Sequence, residues 1–88
     1  MNMATKTMEL KTNGIDKVKV GSRVMWKGGF GNDPAREAVI LSIELCEHEN
    51  SKYGRNVLGV DVRDLYRCCV GLANGHWAYG YQITELLG

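Results

Sequence analysis

The 88-residue chain is short of several things at once: long apolar runs, proline, and charge of one sign. No stretch approaches the roughly 20 apolar residues that a membrane helix needs. The opening MNMATKTMELKTNG lacks the apolar centre of a secretion signal, so the expected compartment is cytoplasmic. Eleven Lys and Arg against ten Asp and Glu leave a net charge of +1. No broad field therefore steers the chain toward nucleic acid, which argues against nonspecific DNA binding as its main task. Three cysteines, an odd number with two adjacent, do not make a disulfide framework. Cys46, His48, Cys68, Cys69 and His76 do not follow the spacing of zinc ligands, so neither a metal nor another cofactor is expected. The two histidines stand beside no serine or cysteine nucleophile motif, and no catalytic residue is assigned.

Glycine, by contrast, is plentiful, with eleven in the chain. The stretch Gly28 to Glu37, GGFGNDPARE, nonetheless has neither spacing of a phosphate-cradling loop. It reads as a long loop in which Asp33 caps a helical turn starting at Pro34, the only proline. With no repeat, linker or low-complexity tract, the chain reads as one domain over 16–88. Residues 1–15 precede it as a flexible tail or a short edge strand.

What organises the domain is alternation. Val18, Val20, Val24 and Trp26 keep one parity across a bend at Gly21. Val39, Leu41, Ile43 and Leu45 make the cleanest strand, and Val60 and Val62 a third. In CCVGLANGHWAYGYQI, residues 68–83, Asn74 and Gly75 stand between two runs of β-formers, the signature of a type I′ hairpin turn. Pairing Ala73 with His76 places Leu72 opposite Trp77. Cys68, Val70, Leu72, Trp77, Tyr79 and Tyr81 then share a bulky face, and Cys69, Gly71, Ala73, His76, Ala78 and Gly80 a nearly bare one. The bulky face is read as core, and the bare face either as a coiled strand relieved by glycine or as a surface that a loop, a second subunit or a ligand approaches closely. The expected core is Val18, Val20, Val24, Trp26, Val39, Leu41, Ile43, Leu45, Val60, Val62, Val70, Leu72, Trp77, Tyr79 and Ile83.

The run Val20-Gly21-Ser22-Arg23-Val24-Met25-Trp26 resembles the first strand of SH3-like small barrels, including the KOW and Tudor-like groups. Gln82 to Leu87 resembles the end of such a barrel, where a 3₁₀ turn leads into a closing strand. The resemblance implies a mostly β fold: a single SH3-like barrel of about five antiparallel strands with a 3₁₀ turn near the C-terminus. In general appearance the chain also resembles small accessory proteins of bacteria and their phages, some of which inhibit host systems by binding.

Without a catalytic constellation, the expected function is a non-catalytic binding module, taking a protein or peptide partner or associating with itself. Homo-oligomer contacts would form through the bare hairpin face or an edge strand. The candidate binding residues are Phe30, Arg36, Tyr53, Arg55, Arg67, His76, Gly71, Ala78 and Gly80. The alternative is recognition of nucleic acid or a nucleotide-like ligand, with Phe30, Tyr53 or His76 stacking on bases and Arg36, Arg55 or Arg67 meeting phosphate.

Overall fold

The computed structural model of the protein describes residues 10–47 and 54–88. The alternating stretches become β1 (Lys17–Lys19), β2 (Arg23–Lys27), β3 (Ala35–Cys46), β4 (Gly54–Val57), β5 (Gly59–Asp61), β6 (Cys68–Leu72), β7 (Trp77–Tyr79) and β8 (Ile83–Leu86). One helical turn, Gly28–Gly31, and two 3₁₀ turns, Val62–Arg67 and Gly80–Gln82, interrupt them. The fold is mostly β, as the alternation implies. Its main sheet runs β7-β6-β3-β2-β8 with β4 added to β3, while β1 and β5 form a separate pair. The main sheet does not close into a barrel, since β7 and β8 end the path without pairing to each other.

β3 is the spine. Its first half, Ala35 to Val39, pairs with β2, and its second half pairs with β6 on one side and β4 on the other. Between these halves the register shifts at Ile40 to Ser42. An irregularity of one residue switches which parity faces inward. Ala38 and Ile40 are buried before it and Ile43 after it, whereas Leu41 is 58% exposed. The expectation that Val39 and Leu41 line up with Ile43 and Leu45 is thus corrected for the first half of the strand. The change of parity lets both halves bury apolar residues as the strand passes from one set of neighbours to another.

The hairpin also differs from its expected form. Gly75 donates to the Leu72 carbonyl (3.1 Å) and Leu72 donates to the His76 carbonyl (2.8 Å). Gly75 has φ 89°, while Asn74 is not among the residues of positive φ. The connection is therefore a three-residue loop, Ala73 to Gly75, ending in a left-handed glycine, and not a two-residue type I′ turn. Asn74 contributes differently, its Oδ1 accepting the His76 N–H at 3.0 Å.

That extra loop residue slips the register by one. Gly71 faces Trp77, Val70 faces Ala78 and Cys69 faces Tyr79. Val70, Leu72, Ala78 and Gly80 turn inward; Trp77 is 58% and Tyr81 40% exposed, and Tyr79 is half-buried. The bulky face of β7 is the outer one. The reason lies in a distant element: a Cβ on Gly80 would collide with the Leu65 carbonyl oxygen. The 3₁₀ turn Val62–Arg67 lies so close beneath Gly80 that no side chain fits there, and Leu65 from that turn supplies the bulk instead. The loop of this same chain is what approaches the bare residues closely.

The core so formed contains Val18, Val24, Trp26, Ala38, Ile40, Ile43, Val60, Leu65, Cys68, Val70, Leu72, Ala78, Ile83 and Leu86. Val20, expected in it, is 41% exposed, and Val62 and Leu45 only pack against its margin. The third strand expected at Val60 and Val62 is β5 followed by a 3₁₀ turn, which Asp61 starts by accepting the Arg63 N–H. The helical turn expected at Pro34 forms earlier, at Gly28–Gly31, and β3 begins at Ala35.

One buried side chain anchors the second 3₁₀ turn. Buried Gln82 accepts from the Tyr79 N–H (2.9 Å) and donates to the Lys27 carbonyl (3.0 Å), tying the second 3₁₀ turn to the end of β2. Lys11 bridges to Glu85 in parallel, so residues preceding the domain lie along β8. Tail residues 1–9 lie outside the described residues, as do His48 and Tyr53.

Candidate interaction surface

The one-residue slip in the hairpin sets the outward row. Trp77, Tyr79 and Tyr81 share a parity, and with the slip all three stand on the outer side. Trp77 and Tyr79 meet edge to face, ring centroids 5.1 Å apart and planes at 84°. Tyr79 stacks on Tyr81 at 5.8 Å and 12°. Aromatic pairs at such spacing favour each other's geometry, so the three rings form a pre-packed ladder instead of three independent side chains.

Two neighbouring elements add to it. The first 3₁₀ turn, which carries Tyr66 (55% exposed), packs against the second, which carries Tyr81. So does the Gly28–Gly31 turn, whose Phe30 is 69% exposed. Phe30 is held out by unusual backbone: Gly29 (φ 61°) and Phe30 (φ 56°) both adopt left-handed dihedrals. For a residue with a side chain this conformation costs on the order of 1 to 3 kcal/mol. Among the described Phe, Trp and Tyr residues only Trp26 is buried. Most of the described aromatic area therefore stands outside the core.

On the sheet itself the ladder stands beside small groups. Across β6 and β3, Trp77 is in line with Gly71 and Ser42, and Tyr79 with Cys69 and Glu44. Gly71 is not an open hollow, however. A Cβ there would meet Ser42 Oγ at 2.5 Å, so the hydroxyl already fills the space.

The other expected binding residues fall into separate places. Arg36 and His76 converge on Trp26, the guanidinium carbon 5.7 Å and the imidazole centroid 5.3 Å from its ring. They cover a core residue, whose buried Nε1 has no hydrogen-bond partner among the described groups. Arg55 and Arg67 line one recess of about 350 Å³ with Leu45, Cys46, Glu47 and Gly54. Arg67 is committed there: it donates to the carbonyls of Cys46 (3.1 Å) and Glu47 (2.7 Å) and pairs with Asp64 (3.5 Å). Three of its contacts thus go to the fold, which fixes the guanidinium against the chain's own carbonyls and Asp64. Ala78 and Gly80, expected on a docking face, are buried. Trp77, Tyr79, Tyr81 and Tyr66 were not among the expected binding residues; the W-x-Y-x-Y spacing of the first three was the available signal.

The thiols offer little chemistry. Burial, with Cys46 nearby, pushes Cys68 up to about 11, and burial likewise raises Cys69. Both stay protonated at neutral pH, when a nucleophilic cysteine needs the thiolate. Among the described residues no three His, Cys, Asp or Glu side chains gather as metal ligands. No helix of the described residues is long and apolar enough to cross a membrane. No family model, curated protein or solved structure matches the chain.

Proposed function

We propose that the protein is a small, non-catalytic binding module that receives a protein or peptide segment on the aromatic ladder of Trp77, Tyr79 and Tyr81, with Phe30 and Tyr66 at its margins. The observation that carries this reading is the exposure of those rings on a fold that buries Trp26. Aromatic side chains held rigidly at a surface gain contact area at small entropic cost, which is why they dominate interaction hot spots. The architecture is read as an SH3-like barrel left open between β7 and β8, and the setting as the cytoplasm of a bacterium or a phage-infected cell. The nucleic-acid reading loses support from the placement of Arg36 over Trp26 and of Arg67 on carbonyl groups. Self-association through the edge of β7 is the weaker protein-partner version. That strand has only three residues, and Gln82 already occupies the Tyr79 N–H.

The test is capture from a cell extract by immobilised wild type and Trp77→Ala in parallel, with and without nuclease. The reading expects a protein partner retained after nuclease and lost with Trp77→Ala. Recovery of nucleic acid alone, or equal capture by both chains, would overturn it.

A further inference from the structure

Three successive residues, Gly29, Phe30 and Gly31, have positive φ (61°, 56° and 94°), and only the middle one carries a side chain. Among the described residues the other non-glycine of positive φ is Asn13, a residue type that tolerates that region, whereas a bulky aromatic does not. A third glycine at position 30 would adopt the same turn without strain. The phenyl ring contributes nothing to the fold in return. It belongs neither to the core nor to its margin, and it is more exposed than any other described Phe, Trp or Tyr. A strained residue persists only where the surrounding structure over-determines it, and here the surroundings do. The Asn32 N–H donates to the Gly29 carbonyl (3.1 Å) and the Asp33 N–H to the Gly28 carbonyl (3.0 Å), closing the turn. The Asp33 carboxylate lies against the two glycines, so near that a Cβ on either would meet one of its oxygens at 3.0 Å. Before the turn, the Lys27 carbonyl accepts from buried Gln82; after it, Ala35 starts β3 opposite Lys27. The ring is thus held out on a short turn fixed at both ends.

The turn packs against the second 3₁₀ turn, which carries Tyr81, so the ring stands at the rim of the aromatic ladder. A protruding ring gains contact area only in a concave apolar acceptor, and a short extended peptide has no such cavity. Taking the ladder as the binding surface proposed above, on which this rests, we infer that Phe30 is the anchor of that interface and that the partner is a folded protein with an apolar socket one phenyl ring deep. Phe30 enters the socket, and the ladder meets the surface around it. Because the turn is already fixed, little loop freedom is lost when the two surfaces dock.

The test immobilises the full chain as wild type, Phe30→Gly, Phe30→Ala and Trp77→Ala, and applies a nuclease-treated cell extract either intact or after digestion to peptides. Phe30→Gly should unfold at a higher denaturant concentration, its folded-to-unfolded ratio raised about three-fold or more, because the strain is gone. It should nevertheless retain about ten-fold less of the partner than wild type does. Phe30→Ala, which keeps a side chain at the same dihedrals, should lose retention likewise and gain no stability. A variant more stable than wild type that does not bind has not failed by unfolding. Peptides from the digested extract should be neither retained nor able to compete with the intact partner. Retention by Phe30→Gly equal to wild type, peptides held from the digest, or no gain in stability with Phe30→Gly would overturn the anchor assignment. Loss of the partner with Trp77→Ala but not with Phe30→Gly would keep the ladder as the binding surface and remove Phe30 as its anchor, whereas no protein retained by wild type would overturn both.

Discussion

Trp26 and Trp77 are each flanked by short strand sequence, yet one is 3% and the other 58% exposed. Trp26 lies on β2, between β3 and β8, under Arg36 and His76. Trp77 lies on β7 at the end of the sheet, where the inward positions are Ala78 on the strand and Gly80 just past it. The difference teaches that in this chain bulk does not decide which face of a strand is buried. Space does. Beneath Gly80, at the end of β7, the first 3₁₀ turn leaves no room, so the small residue goes in and the rings stay out.

The sharpest way to break this comparison is to put a side chain where none fits. Gly80→Ala would drive its Cβ into the Leu65 carbonyl, backbone that cannot step aside, and is expected to cost roughly 3 kcal/mol or more. A loss below about 1 kcal/mol in chemical denaturation would mean that the turn does not underlie Gly80. Trp26→Ala should follow at about 3 to 5 kcal/mol, the range for an aromatic lost from a core. Trp77→Ala should cost under about 1 kcal/mol by the same measurement, since it removes surface contacts only. If Trp77→Ala proved the more damaging of the two, the faces would be the reverse of those described.

A pH titration sharpens the same contrast from the core side. The folded chain holds Cys68 at about 11, above its ordinary value of 9.0, because burial favours the neutral thiol. The unfolded chain ionises first as pH rises. The associated stability is thus complete below pH 9 and is lost as pH climbs from about 9 toward 11, by up to roughly 2 kcal/mol. Urea midpoints across that range should fall for wild type and fall less for Cys68→Ala. Equal slopes would place the thiol at the surface. The smallest effect is expected at Gly71→Ala, about 1 kcal/mol or less, because its Cβ meets only the rotatable Ser42 hydroxyl. The pair Gly71→Ala with Ser42→Ala should restore stability; if it does not, Ser42 is not what fills the space above Gly71.

Alternation made much of the fold legible. The inward residues Val18, Val24, Trp26, Val60, Val70 and Leu72 follow from parity alone, as does the shared face of Trp77, Tyr79 and Tyr81. Parity groups residues but does not say which group is buried. At Gly80, just past β7, that choice is made by Leu65, fifteen positions earlier in the chain, and no local pattern encodes its carbonyl lying under the glycine. In β3 the parity itself changes at Leu41, and AVILSIEL is apolar enough on both sides of the change to conceal it. At the turn, Asn74 and Gly75 fit both a two-residue and a three-residue loop, and that single residue decides whether the aromatic ladder is core or surface. Arg36 was read as part of a loop but lies on β3 opposite Trp26, and its common seat with His76 on that ring depends on two strands and a hairpin tip meeting.

Hydrogen exchange of the two indole N–H groups in the unmodified protein, assigned with Trp77→Phe and followed at low concentration, tests the placement most directly. The structure predicts a Trp77 signal that exchanges at once with solvent and a Trp26 signal protected by many-fold. A protected Trp77 beside a freely exchanging Trp26 would contradict it.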